Sequence, residues 1–149
     1  MQDVTINLSE LFIARVAGKQ HNISVSHIDT LRFVNMLSDG VEGTVLRTVA
    51  QHIPKLVLSV SLGSDITNLS KLYRRKKLTP KQTESLEDLT ALWEDLRALF
   101  DNDDELIHEW IQAPLPAFEG GCAMDIMGSS FGRKRIREVL EEMKYGEFA

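Results

Sequence analysis

The chain has 149 residues, 43% hydrophobic and 26% charged, with a formal net charge of −5. That balance predicts a soluble folded protein with one modest core or two small ones, and the only cysteine, Cys122, leaves no internal disulfide and no cysteine-built metal site to assemble. Met1-Gln2-Asp3 carries no basic leader, Glu10 and Arg15 interrupt the apolar residues that follow, and no run of about 18 apolar residues occurs, so neither secretion nor membrane spanning is expected and a reducing cytoplasm fits.

Apolar spacing is helical almost throughout, which predicts an all-α fold. Leu8, Leu11, Phe12 and Val16 share a face before Gly18, and Ile28, Leu31, Val34 and Leu37 share another before Asp39-Gly40, giving two N-terminal helices. Val4, Ile6 and Leu8 also alternate, but a lone strand there would leave its edges unpaired. Three short segments follow, over 44–53, 54–62 and 66–75; Gly63 closes the second, and Ser64 is expected to cap the third. Thr79-Pro80-Lys81-Gln82 has a capping hydroxyl, a proline at N1 and a glutamine at N3 in capping-box order, and Leu86, Leu89, Trp93, Leu96 and Phe100 then form one apolar stripe. Asp103 starts another helix, with Leu106, Ile107, Trp110 and Ile111 apolar and Pro114 beyond its end. A last, basic helix carries Ile136, Val139, Leu140 and Met143.

Charge divides the chain more sharply than its total suggests. Residues 46–81 hold eight cations against Asp65 alone, a net +7, whereas residues 82–119 hold eleven acids against Arg97 alone, a net −10. One module is suited to a polyanion, and its neighbour would repel one. Within the basic stretch, Lys55 to Leu72 reads as a helix, a glycine turn and a second helix, the helix-turn-helix pattern. Ile66, Leu69, Leu72 and Tyr73 are expected to face inward. Thr67, Asn68, Ser70, Lys71 and Arg74 then face outward, where such types reach base edges and phosphates, and Arg75, Lys76 and Lys77 follow at the helix end near the backbone. A recognition helix this short reads few bases, so a dimer on two half-sites is expected, with the two N-terminal helices as the dimerising surface.

Nothing is arranged for catalysis. His21, His27, His52 and His108 are scattered without metal-ligand spacing, and Gly128-Ser129-Ser130-Phe131-Gly132 follows no strand that would make it a nucleophile elbow. Asp103-Asp104-Glu105 suits a helix N-terminus better than an acid-base pair.

From Leu37 onward the chain resembles the Xre/MbcA/ParS class of bacterial antitoxins. The resemblance rests on Leu78-Thr79-Pro80, the acidic stretch over 101–105, Trp110-Ile111 before Pro114, Ala117-Phe118 with Gly120, Asp125-Ile126-Met127, Gly132, Leu140 and Tyr145-Gly146. Two departures stand out: Ala123 occupies a position where the family usually has proline, and Arg133-Lys134-Arg135 is more basic than usual. Residues 1–36, about a quarter of the chain, match nothing in that pattern.

The resemblance implies three units: an N-terminal helical, dimerising segment over 1–39, an Xre-like helix-turn-helix over 40–82 and a small helical toxin-binding domain over 83–149. It implies a type II antitoxin that silences a cognate toxin, commonly a RES-domain enzyme consuming NAD, and represses the shared operon by binding operator DNA as a homodimer or higher complex. No cofactor would belong to this chain, since NAD would be the toxin's substrate. Trp110, Phe118, Gly120, Tyr145 and Gly146 are the expected docking positions, and Arg133, Lys134, Arg135 and Arg137 would offer cations to a cleft that holds dinucleotide phosphates. A stand-alone helix-turn-helix repressor is the alternative.

Overall fold

The computed structural model describes residues 30–146, and every regular element among them is helical. The helix expected over Leu8 to Val16, the alternating Val4, Ile6 and Leu8, and Ile28 lie outside the described residues. Helix α1 spans Thr30–Asp39, α2 Gly43–Val49 and α3 Lys55–Leu62; a 3₁₀ turn over Ile66–Asn68 leads into α4, Leu69–Tyr73. Helix α5, Pro80–Leu99, is the longest, and α6 spans Asp104–Gln112. A second 3₁₀ turn, Pro116–Phe118, precedes α7, Ala123–Ile126, and α8, Ser130–Lys144.

Helix α5 is the axis of the fold, and its sequence explains why it starts where it does. The Thr79 hydroxyl accepts the Gln82 N–H and the Gln82 side-chain oxygen accepts the Thr79 N–H, both at 3.1 Å, while Pro80 sits where a helix needs no N–H donor. Leu86, Leu89, Leu92, Trp93 and Leu96 are buried, with Phe100 half-buried at the end of the stripe. Against α5 lie α1, α3 and α8. A single cluster of buried side chains therefore runs from Val41 to Leu140, so α2 to α4 and the C-terminal helices share one core.

The chain reverses after α5 through Asp101 and Asn102, both at positive φ (54° and 61°), a region these short polar side chains tolerate. Asp103 then accepts the Leu106 N–H at 3.1 Å and caps α6. At the other end of α5 two backbone straps close the basic segment. Leu78 N–H donates to the Val41 carbonyl at 2.7 Å, and Gly43 N–H donates to the Arg75 carbonyl at 2.9 Å. Gly43 approaches the Leu72 carbonyl so closely that a Cβ there would collide with it.

One expectation is corrected. Ser64 is not a cap: its hydroxyl donates to the Asp65 carbonyl at 3.5 Å, and extended Asp65 precedes the turn without a side-chain cap bond. On the face shared by Leu31, Val34 and Leu37, Leu31 and Val34 are exposed and Leu37 packs against the core, while Met36 is buried.

Candidate functional site

The segment read as a helix-turn-helix holds α3, a glycine turn, the 3₁₀ turn Ile66–Asn68 and α4. Gly63 adopts the left-handed conformation (φ 64°) that ends α3, and the Ser64 N–H returns to the Ser59 carbonyl at 2.9 Å. Leu69 and Leu72 are buried, and the Arg47 guanidinium lies 5.8 Å from the centre of the half-buried Tyr73 ring. Thr67, Ser70, Lys71, Arg74, Arg75, Lys76 and Lys77 are exposed and Asn68 is half-buried. Ile66 departs from expectation, standing 49% exposed instead of facing inward. A helical side chain leans over the turn on its N-terminal side. Ile66 opens its turn and has no such preceding surface to cover.

Between this module and α6 lies a partly buried polar network that sequence reasoning missed. Asp104 accepts from Arg97 Nε and from a terminal guanidinium nitrogen at 3.0 Å each, and from Trp93 Nε1 at 3.3 Å. Arg97 is only 2% exposed, and its guanidinium also donates to Glu94 at 3.2 Å. His52, in the loop after α2, brings Nδ1 to 3.1 Å from both Asp104 and Arg97, while its carbonyl accepts from His108 Nε2 at 2.8 Å. His52 Nε2 is buried without a partner. Burial pushes the Asp104 carboxyl up, but the hydrogen bonds from Arg97, His52 and Trp93 outweigh it and hold the group below its usual range. The one signal in the sequence was that Arg97 follows Trp93 by four residues and so falls on the buried stripe.

The C-terminal helices are joined by tight turns. Leu115 N–H donates to the Gly121 carbonyl at 3.0 Å, and Glu119 and Gly120 carry positive φ (57° and 88°) between them. Ala123, at the position where the resemblance leads one to expect proline, is the buried first residue of α7, and the Asp125 carboxylate accepts the Cys122 N–H at 3.2 Å to fix that start. Ser129 caps α8 through the Gly132 N–H at 3.0 Å.

The expected docking residues fall into distinct groups. Trp110 is half-buried, its ring 5.7 Å from Phe100, and Phe118 is half-buried against the core. Tyr145 is 74% exposed just past α8, Phe131 is 82% exposed at its start, and Gly120, Lys134 and Gly146 are also exposed.

Arg133, expected to stand open with the other cations, is instead interior at 3% exposure. Its Nε donates to Asp88 at 2.6 Å, and a terminal nitrogen donates to the Met127 and Gly128 carbonyls at 3.2 and 3.1 Å. The cause is register: Arg133 precedes Ile136 by three residues and Leu140 by seven, on the face that packs against α5. Arg137 reaches the same Asp88 at 2.8 Å, and Arg135 pairs with Glu138 at 3.3 Å. The four cations thus do not form one open basic face. Burial raises the Asp88 carboxyl, and the two guanidinium hydrogen bonds overcome that and keep it below its usual range.

Among the described residues no helix is long and apolar enough to cross a membrane, and no cluster of three or more His, Cys, Asp or Glu side chains is placed to hold a metal. No curated protein matches the chain. Residues 95–146 match the family model described as the antitoxin Xre/MbcA/ParS C-terminal toxin-binding domain. That span covers about a third of the chain, from the last turn of α5 through α8. The last turn of α5 and the helices after it, with Arg97, Asp104 and Trp110, are therefore similar to the toxin-binding domain of Xre/MbcA/ParS antitoxins.

Proposed function

We propose that this chain is the antitoxin of a type II pair, acting in the cytoplasm. In this reading the unit over 83–149 covers the active-site cleft of a RES-type, NAD-consuming toxin, and the helix-turn-helix over 40–82 binds operator DNA to repress the shared operon. The observation that carries the reading is the toxin-binding domain over residues 95–146. Its outward side offers what an interface needs: aromatic Tyr145 and Phe131 as anchors and Lys134 as an accessible cation. Arg133 and Arg137 support that surface from behind through Asp88.

The DNA part of the reading is supported by the exposed run Lys71, Arg74, Arg75, Lys76 and Lys77 at the end of the second helix. Such cations supply affinity through phosphate neutralisation. A dimer would set two recognition helices at half-site spacing, with exposed Leu31 and Val34 of α1 belonging to the dimerising segment over 1–39.

Co-expression with the product of the adjacent gene tests the proposal. The pair should copurify and the chain should restore growth. Tyr145→Ala and Lys134→Glu should weaken the complex at least tenfold with the melting temperature unchanged. A neighbouring protein whose toxicity persists and which does not copurify would overturn it. Repression is tested by binding over a salt series, where log K should fall with log salt at a slope of about 0.9 per phosphate neutralised.

A further inference from the structure

Three large apolar side chains stand open around one concavity of the helix-turn-helix. Leu56 and Val60, one helical turn apart on α3, and Ile66, which opens the second helix, are 56%, 61% and 49% exposed. With Thr67 they line a groove that also touches Gly63 and Asp65. Single exposed apolar residues are ordinary on a protein surface, but three sharing one groove mark a contact site.

The charges around the groove decide what it contacts. Beyond Ile66 and Thr67 the same segment presents Lys71, Arg74, Arg75, Lys76 and Lys77, all exposed, within a stretch that carries net +7 over residues 46–81. A polyanion therefore fits the far end of the segment, whereas Asp65 at the near end repels phosphate. With cations toward the backbone and an acid at the opening turn, the near end is left to the base edges. That is where helix-turn-helix docking puts the first residues of the second helix. The major-groove edges expose one apolar group, the thymine 5-methyl.

Resting on the DNA-binding reading above, we propose that Ile66 reads a thymine 5-methyl in the operator. The side chain has no interior role to keep it from doing so. Its partial exposure, a misfit for a core position, becomes the contact surface.

The full chain is first used to select bound sequences from a pool of random duplexes, and a selected duplex is then rebuilt with each thymine replaced singly by deoxyuracil, which removes only the methyl. At one position per half-site the replacement should weaken binding about fourfold, the factor for burying one methyl group. Ile66→Ala should bind the thymine and uracil duplexes equally while melting within about 1 °C of the parent.

If no duplex is enriched and no salt-dependent binding appears, the DNA reading itself fails and this inference with it. If duplexes are enriched but no uracil replacement matters, or Ile66→Ala still discriminates, the inference alone is overturned. If Ile66→Ala instead weakens only association with the toxin or with a second copy of the chain, the groove is a protein interface and the inference is likewise overturned.

Discussion

Replacing Arg133 with methionine separates a structural tie from a docking cation. The side chain is 3% exposed and donates to Asp88 at 2.6 Å and to the carbonyls of Met127 and Gly128 at 3.2 and 3.1 Å. Removing one partner of a buried ion pair costs about 3–5 kcal/mol when the other charge is stranded. Asp88 is not stranded, since its side chain is 31% exposed and Arg137 still reaches it at 2.8 Å. The expected loss is therefore reduced to about 2–3 kcal/mol, most of it from the charge-assisted hydrogen bonds and the two carbonyls left without a donor. Methionine fills much of the vacated volume, so a cavity adds little. For a chain of this size the loss lowers the melting temperature by about 5–10 °C. Thermal melts of the full chain, with Asp88→Asn and the double variant completing a cycle, read it directly. At 20 °C, where the variant remains folded, toxin binding should persist. A melting temperature within about 1 °C of the parent, or loss of toxin binding without loss of stability, would refute the interior role.

Two other perturbations probe different parts of the molecule. Gly43→Ala drives a methyl into the Leu72 carbonyl and displaces the end of the second helix, and it should cost about 2–3 kcal/mol while abolishing DNA binding. Unchanged operator affinity would show that α2 does not set the position of α4. Acid is the second. Asp88 and Asp104 have folded pKa values below their unfolded ones, so their stabilisation is full above about pH 4 and is lost as pH falls through the depressed folded values. Glu87 has the opposite sign. Burial first, then Asp88 and Glu84, raise its carboxyl, so its protonation on acidification offsets part of the loss. The urea midpoint should accordingly change little between pH 7 and 5 and fall steeply below about pH 4; equal midpoints at pH 5 and 3 would contradict the assignment.

Much of the fold was legible because it is written in local signals. The Thr79-Gln82 capping box, the Leu86 to Phe100 stripe, the Asp103 start of α6 and the Gly63 stop each depend on residues within a turn or two. What the sequence hid depends on which polar residue falls on an apolar face. Arg97 and Arg133 occupy core register, yet a reading by residue type sends arginine to the surface, and only tertiary pairing with Asp104 and Asp88 makes interior placement affordable. His52 had no signal at all, since it sits in a loop and meets Arg97 forty-five residues away. Ile66 failed for the converse reason: apolar spacing assigns a side, but the first residue of a segment has nothing on that side to cover. At the C-terminal surface Tyr145 and Lys134 are exposed, whereas the four expected cations do not stand open together, because α8 uses two of its three arginines to hold itself to α5.

Because Trp93 and its neighbours on α5 are walled in from both sides, neither half of the described chain owns a complete interior. A protease cut anywhere between α3 and α8 would strip hydrophobic cover from both halves at once. If the chain is the antitoxin proposed above, cleavage should then act as an all-or-none event, ending toxin binding and operator binding together instead of leaving a fragment that still performs one task.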